Sequence, residues 1–159
     1  MKDHRDKSFW LATYGDYTPE APLSGELTVD VAVIGGGFTG LSTALNLKKD
    51  SPGLRVVVLE SEVIGFGASG RNGGFSMTLF GLEPAVTKAL FGQQRTIEAH
   101  RYMERAVDYV DQLIKEYQLQ SDYWFPGFLR VATTSGYVKR IQHDLEILTS
   151  MGITGIEWL

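Results

Sequence analysis

The sequence predicts a mixed α/β fold, and three observations carry that prediction. A run rich in β-branched residues, 29–34, leads into Gly35-Gly36-Gly37-Phe38-Thr39-Gly40, and a segment with one apolar face follows to Lys49. A second such run, 54–59, ends at Glu60, 20 residues after Gly40. Beyond residue 81, apolar residues recur at helical spacing over long segments. The first two specify a βαβ unit, whose right-handed crossover makes a parallel sheet. The third adds long helices after it.

Residues 1–28 read as an N-terminal arm. Phe9, Trp10, Tyr14 and Tyr17 stand among Gly15, Pro19 and Pro22, which suits an extended segment pinned to a surface in a structural role. Residues 29–34 are apolar and β-branched except at Asp30 and Ala32, as a central parallel strand requires. Residues 38–49 form the first helix, with Leu41, Ala44 and Leu45 at i, i+3 and i+4 on one face. Lys48 and Lys49 suit the negative end of its dipole, and Ser51-Pro52-Gly53 stops it. Residues 54–59 are the second strand.

Residues 61–81 hold six glycines and read as a loop. Helix resumes over 83–91, and a longer helix covers 93–118. There Ala99, Met103, Ala106, Val110, Leu113 and Tyr117 alternate by four and three, a core-facing pattern. Asp111 and Lys115 make a favourable i, i+4 pair. Residues 123–133 are aromatic and β-branched around Pro126-Gly127, which predicts a turn and then a strand over 128–133. Residues 135–151 predict an amphipathic helix with Val138, Ile141, Leu145 and Leu148 on one side. Gly152 ends it, and 153–159 predict the start of a further strand. The domain reading is an arm, 1–28; a dinucleotide-binding domain, 29–121; and the start of a second, α+β domain, 122–159.

Composition bounds the function. The 159 residues, 43% apolar, suffice for one core. The net charge of −4 argues against a nucleic-acid partner. There is no cysteine, which excludes disulfides within the chain. His4, His100 and His143 are scattered, with no acids clustered beside them, and read as solvated helix or tail residues rather than metal ligands. No run of about 20 apolar residues exists to span a membrane. The charged N-terminus has no apolar segment behind it of the kind a secretory signal needs, which leaves the cytoplasm as the expected compartment.

The chemistry sits in the glycine turn. Gly35 permits a tight turn out of the strand, Gly37 lets a pyrophosphate approach the backbone, and Gly40 lets helix and strand pack closely. N–H groups at Phe38, Thr39 and Gly40 face the phosphates, helped by the helix dipole. Glu60 can accept both hydroxyls of an adenosine ribose and would repel a 2′-phosphate, which disfavours NADP. Glycines also serve ordinary turns. Strand, turn, helix, second strand and acid in register favour a Rossmann-like dinucleotide site.

A second glycine-rich segment, 65–74, follows at once. Gly65-x4-Gly70 has the spacing of a P-loop, but Arg71 and Asn72 stand where Lys and Ser or Thr are required. Its position is more informative, because a loop leaving the carboxyl end of the second strand lies beside a bound dinucleotide. The N–H groups of Ala68 and Ser69 and the Ser69 hydroxyl can reach phosphates or ribitol. Arg71 can offset phosphate charge, and Asn72 can bond the ligand or hold the loop. Ser61, Gly67 and Gly73 complete the expected cofactor-binding set. The competing reading is a flexible surface loop.

With both glycine segments in view, the chain resembles the FAD-dependent amine and D-amino-acid oxidase (DAO) superfamily, in particular its gamma-glutamylputrescine oxidoreductase-like subgroup. Ser8-Phe-Trp-Leu-Ala-Thr13 with Ala21-Pro-Leu-Ser-Gly25 resembles that subgroup's N-terminal lead. Asp30-Val-Ala-Val-Ile-Gly-Gly-Gly-Phe-Thr-Gly-Leu-Ser42 resembles its FAD fingerprint. Gly65-Phe-Gly-Ala-Ser-Gly-Arg-Asn-Gly-Gly74 resembles its flavin loop and is the most specific of these. Phe128-Leu-Arg-Val-Ala-Thr-Thr134 resembles the first strand of the family's substrate domain.

The resemblance implies FAD, held noncovalently: this loop lacks the histidine that carries flavin in some relatives, and the chain has no thiol. Arg71 would then stabilise a reduced, anionic flavin ring. It also implies oxidation of a C–N bond in a small amine or amino acid, leaving an imine that water hydrolyses. The family's enzymes are much longer, so the expected α/β fold is incomplete relative to them. The later FAD-domain strands, most of the substrate sheet and the segment closing over the flavin are not seen here. No catalytic residue is assigned. Two alternatives accompany this reading. One is an NAD-binding dehydrogenase domain on the same βαβ unit; the other is a non-catalytic fragment that self-associates or pairs with a complementary chain.

Overall fold

A computed structural model describes residues 6, 8–15, 17–78 and 81–159. The charged start of the chain and His4 lie outside the described residues. In order, the elements are α1 (Phe9–Thr13), β1 (Val31–Ile34), α2 (Phe38–Asp50), β2 (Val56–Leu59), α3 (Pro84–Phe91), α4 (Gln93–Tyr117) and α5 (Ser135–Ser150), with a 3-10 turn at Ala68–Gly70. The backbone divides into two compact units, residues 1–74 and 75–159.

In the first unit, β1 and β2 pair in parallel, with Val31 opposite Val56 and Ile34 opposite Leu59. A bidentate ion pair pins the start of this register. Asp30 accepts the Arg55 backbone N–H at 2.8 Å, Nε at 3.1 Å and Nη2 at 2.8 Å, and these bonds hold its carboxyl at about 2. The Gly35 N–H donates to Leu59 O at 2.8 Å and extends the pairing past the strand ends. Between the strands runs α2. It leaves β1 through Gly35, whose φ of +101° a side chain would strain. Lys48 closes the helix by donating Nζ to Pro52 O and, at 2.8 Å, to Leu54 O. Strand, helix and strand thus fall within two residues of the sequence expectation. Of the predicted helix face, Ala44 and Leu45 are half-buried while Leu41 is exposed.

The arm departs from an extended segment. Ser8 caps a one-turn helix, α1, its Oγ accepting N–H bonds from Trp10 and Leu11. This is the preference of a serine with β-region backbone ahead of apolar residues.

The second unit contains helices only among its described residues. Pro84 opens α3. Gly92, at φ +82°, turns the chain directly from α3 into α4. Thr87 and Thr96 flank that corner and are buried. Each hydroxyl donates back one turn, to Glu83 O at 3.0 Å and Gly92 O at 2.9 Å, so burial leaves no polar atom unmet. On α4 the predicted Ala99, Met103, Ala106 and Leu113 are half-buried, Thr96 and Val107 are buried, and the predicted Val110 and Tyr117 are exposed. Thr134 caps α5 by accepting the Tyr137 N–H at 3.2 Å. The predicted apolar face of α5, Val138, Ile141, Leu145 and Leu148, is half-buried as expected. Asp144 on the same helix is buried because Arg130 donates to it at 2.7 Å.

Two predicted strands do not form. Residues 128–133 and 153–159 are irregular. A strand satisfies its N–H and C=O groups only across a partner, and among the described residues this unit supplies none. Arg130 anchors the first segment through Asp144. Ile153 is buried and its N–H returns to Leu148 O at 3.1 Å, so the second segment starts as a helix-closing turn.

Helix α2 approaches the end of β1 so closely that a Cβ on Gly40 would overlap the Gly35 carbonyl oxygen. Backbone cannot yield as a flexible side chain does. Gly40→Ala is therefore expected to lower stability by about 3 kcal/mol, measured by urea unfolding. Gly53→Ala, which faces open space at an unstrained turn, should stay within about 0.5 kcal/mol of the parent.

Candidate dinucleotide site

The site is built where β1 ends and α2 begins. Gly37 precedes the helix in extended conformation and carries no capping side chain, and the first turn holds no acid. The first intrahelical bond runs from the Leu41 N–H to Gly37 O at 2.9 Å. The N–H groups of Phe38, Thr39 and Gly40 therefore have no acceptor within the helix, and the positive end of the helix dipole adds to theirs. One of these donors is met from outside the helix. The Phe38 N–H donates to the Ser69 Oγ at 2.9 Å. A Cβ on Gly37 would come within 2.9 Å of that same oxygen.

Glu60 stands at the end of β2 and reaches back across the sheet. Its Oε2 accepts the Gly36 N–H at 2.7 Å, and Oε1 accepts the Glu62 N–H at 3.1 Å and the Ser61 hydroxyl at 3.3 Å. The Gly36 bond first, then the Glu62 bond, holds the Glu60 carboxyl below its ordinary value. Gly36 was not among the expected site residues, yet it is the best-buried member of the turn. It packs under Ile64, its N–H binds Glu60, and its carbonyl accepts the Gly65 N–H at 3.0 Å. The only signal for it was its place inside the glycine triplet.

The 65–74 loop is held by its own contacts. A Cβ on Gly70 would overlap the Gly65 carbonyl oxygen, so the loop closes on itself there. Asn72 donates Nδ2 to Ser69 O at 2.7 Å and accepts the Gly74 N–H on Oδ1 at 2.8 Å. Arg71 lies over the Phe66 ring at 5.0 Å and donates Nε to Gly67 O at 3.4 Å. Its N–H bonds Ala68 O at 3.1 Å. The arm reaches this loop too: Ser8 Oγ donates to Gly70 O, and Trp10 Nε1 donates to Asn72 O at 3.0 Å.

The fold thus gathers Gly35, Gly37, Phe38, Gly40, Glu60, Ser61 and Ser69 into one turn network. Thr39 lies beside them at the helix start. Gly67, Ala68, Arg71, Asn72 and Gly73 form the loop that delivers Ser69. Sequence reasoning missed Gly36, Gly65 and Gly70, and did not connect Ser8 and Trp10 with the loop. Of the histidines, His100 pairs with Glu104 at 3.6 Å along α4 and His143 lies exposed on α5. In the second unit a groove of about 650 Å³ is lined by Arg101, Glu104, Arg105 and Asp108, a charge-balanced set.

Glu60 binds protons less readily in the folded chain than in the unfolded one. Its contribution to stability is thus complete above the ordinary glutamate pKa of about 4.3 and is lost as pH falls through the lower folded value. Unfolding measured between pH 6 and pH 3 should show stability falling with acid, with a shallower slope in Glu60→Gln.

The family profile described as FAD dependent oxidoreductase (DAO) matches residues 30–159. The chain is 35% identical over its full length to gamma-glutamylputrescine oxidoreductase of Escherichia coli K12, covering 36% of that protein. It is 36% identical over 113 residues to a probable oxidoreductase, OrdL, of Haemophilus influenzae, covering 70% of this chain and 25% of the relative. A protein of the same name in Rhizobium meliloti is 31% identical over 135 residues, 82% of this chain and 31% of the relative. The chain spans about a third of the length of these relatives. No solved structure matches it. By the extent of the profile match, with a glycine turn, an acid-free helix N-terminus and a second glycine loop in the places described, the chain belongs to the DAO family of FAD-dependent oxidoreductases.

Proposed function

We propose that this chain carries the ADP-binding end of a noncovalent FAD site, on a Rossmann-type βαβ unit, in an enzyme that oxidises the C–N bond of an amine or amino acid. One observation carries the cofactor part of the reading. Helix α2 starts at the end of β1 with no cap of its own and no acid in its first turn, behind Gly36 and Gly37, where a side chain would crowd Ile64 and Ser69. Those residues fit a pyrophosphate. Thr39 and Gly40 offer N–H donors, Gly37 leaves the approach open, and Arg71, at the loop surface, offsets phosphate charge. The Glu60 oxygens hold Gly36 and retain lone pairs for ribose hydroxyls.

When bound, FAD supplies the acceptor for the two electrons leaving the substrate. The chain's own residues bind and orient its nucleotide end. Residues 65–74 hold no histidine and the chain no cysteine, which supports noncovalent binding. The Escherichia coli relative is named for gamma-glutamylputrescine, and this supports an amine as the substrate class. The domain reading, 29–121 for the cofactor and 122–159 for the start of a substrate domain, belongs to the same proposal, as does a cytoplasmic setting. No described helix is long and apolar enough to cross a membrane.

A second reading concerns association. Ile34 is 79% exposed at the end of β1, and Trp124 and Leu129 are 78% and 68% exposed. Such surface favours pairing with a complementary chain or with another copy.

The test is titration of the purified chain with FAD and, separately, with NAD. Quenching of flavin fluorescence is expected with FAD, and Gly37→Val should weaken it at least tenfold by crowding Ser69. Uptake of NAD without FAD would overturn the flavin reading. With FAD and an amine supplied, the isolated chain should release no peroxide, because it spans about a third of its relatives; peroxide would overturn that expectation.

A further inference from the structure

The arm and the 65–74 loop are joined by two hydrogen bonds and a ring contact. Ser8 does two things at once. Its oxygen accepts the first N–H groups of α1, and its hydrogen goes to Gly70 O. Trp10 sends its indole N–H to Asn72 O at 3.0 Å. Its six-membered ring lies where a Gly74 side chain would be, since a Cβ there would overlap Cζ2 and Cη2. Three residues of the loop, Gly70, Asn72 and Gly74, are thus gripped by one turn of helix.

From Asn72 the contacts continue inward. Its side chain donates to Ser69 O at 2.7 Å, and the Ser69 hydroxyl accepts the Phe38 N–H at 2.9 Å. The path runs from the indole to the Asn72 carbonyl, through Asn72 to its side-chain amide and the Ser69 carbonyl, and through Ser69 to its hydroxyl and the first amide of α2. Nothing else described bonds the Ser69 hydroxyl or the Trp10 indole nitrogen.

The geometry points to α1 as a latch on the cofactor loop, with Trp10 a positioning residue that acts through Asn72 and Ser69 on the N-terminus of α2. The latch makes two demands. Loosening Trp10 must loosen the Phe38 amide, at the far end of the line, while the middle of α2 stays closed. It must also weaken a ligand bound at that helix end. The second demand rests on the flavin reading above; the first does not.

The test is amide exchange of the ligand-free chain, followed by NMR, in Trp10→Phe, Ser69→Ala and the double variant. Phenylalanine removes both the indole donor and the outer ring atoms that reach Gly74, so both Trp10 contacts with the loop are cut. Phe38 exchange is expected to quicken roughly threefold to tenfold in either single variant, with no further gain in the double variant and Leu45 unchanged. Ser8→Ala, which cuts the second tie, should act in the same direction. Unchanged Phe38 exchange in Trp10→Phe overturns the latch, as does a gain that simply multiplies with that of Ser69→Ala, or an equal rise at Leu45, the mark of general destabilisation. The FAD dissociation constant should rise by a similar factor in Trp10→Phe and not again in the double variant. A parent chain that takes up no FAD, while Trp10→Phe still quickens Phe38, supports the latch and overturns the cofactor reading.

Discussion

One carboxylate joins the two ends of the βαβ unit. Glu60 follows the last residue of β2 and accepts the Gly36 N–H at 2.7 Å, one residue beyond the last backbone bond between the strands. That bond sets the path of the glycine turn, and the turn sets where α2 points. The close approach of Gly40 to the Gly35 carbonyl is possible only on that path. An acid at this point also lies near the positive end of a helix, so its charge is stabilised where it stands. The same bonds that hold the turn keep it ionised, and in that form it can accept hydrogen bonds from a ribose.

The choice of cap on α2 matters for what the helix can bind. An acid in the first turn, or an Asp in place of Ser69, would hold the Phe38 N–H as well or better. It would also cancel the dipole and repel any anion arriving there. Ser69 is neutral. It satisfies one donor and leaves two, with the field of the helix uncompensated. The cap comes from a loop 31 residues away in sequence, so the state of that loop and the state of the helix end are linked. Asn72 and the closure of Gly70 on Gly65 make the loop stiff enough for the link to have effect. Arg71, by contrast, lies over the Phe66 ring and bonds the Gly67 carbonyl at the loop's surface.

What the sequence revealed divides along local and non-local lines. Strand, turn, helix and strand were legible because each signal is short: β-branched runs, Gly35 at a positive φ, Lys48 and the Pro52-Gly53 stop. The helices 84–91, 93–117 and 135–150 were legible by period. Gly36 and Trp10 were not, because their importance lies in Ile64, Glu60 and Asn72, which no spacing rule brings near. Four of the six positions expected on the buried side of α4, Ala99, Met103, Ala106 and Leu113, are half-buried; the spacing of apolar residues did not show that Thr96 is buried with them. Thr87 and Thr96 answer their own hydroxyls one turn back and so bury at no polar cost. The strands expected at 128–133 and 153–159 failed because strand propensity is only half of a strand; the other half is a partner edge.

The chain also shows how the strength of such a site depends on what covers it. Among the described residues, the buried apolar side chains are Val63, Val107, Met151 and Ile153, and none is less than 2% exposed. The glycine turn is therefore held mainly by hydrogen bonds and close backbone contacts rather than by a deep core. Ile34, Phe38 and Leu41 beside the helix end are all exposed. Water at that surface screens the pull of the α2 N–H groups on an anion. Covering those three side chains would remove the water, lower the local dielectric and strengthen every one of those attractions. Attraction of an anion to this helix end and burial of this apolar rim are thus coupled, because the same displaced water serves both.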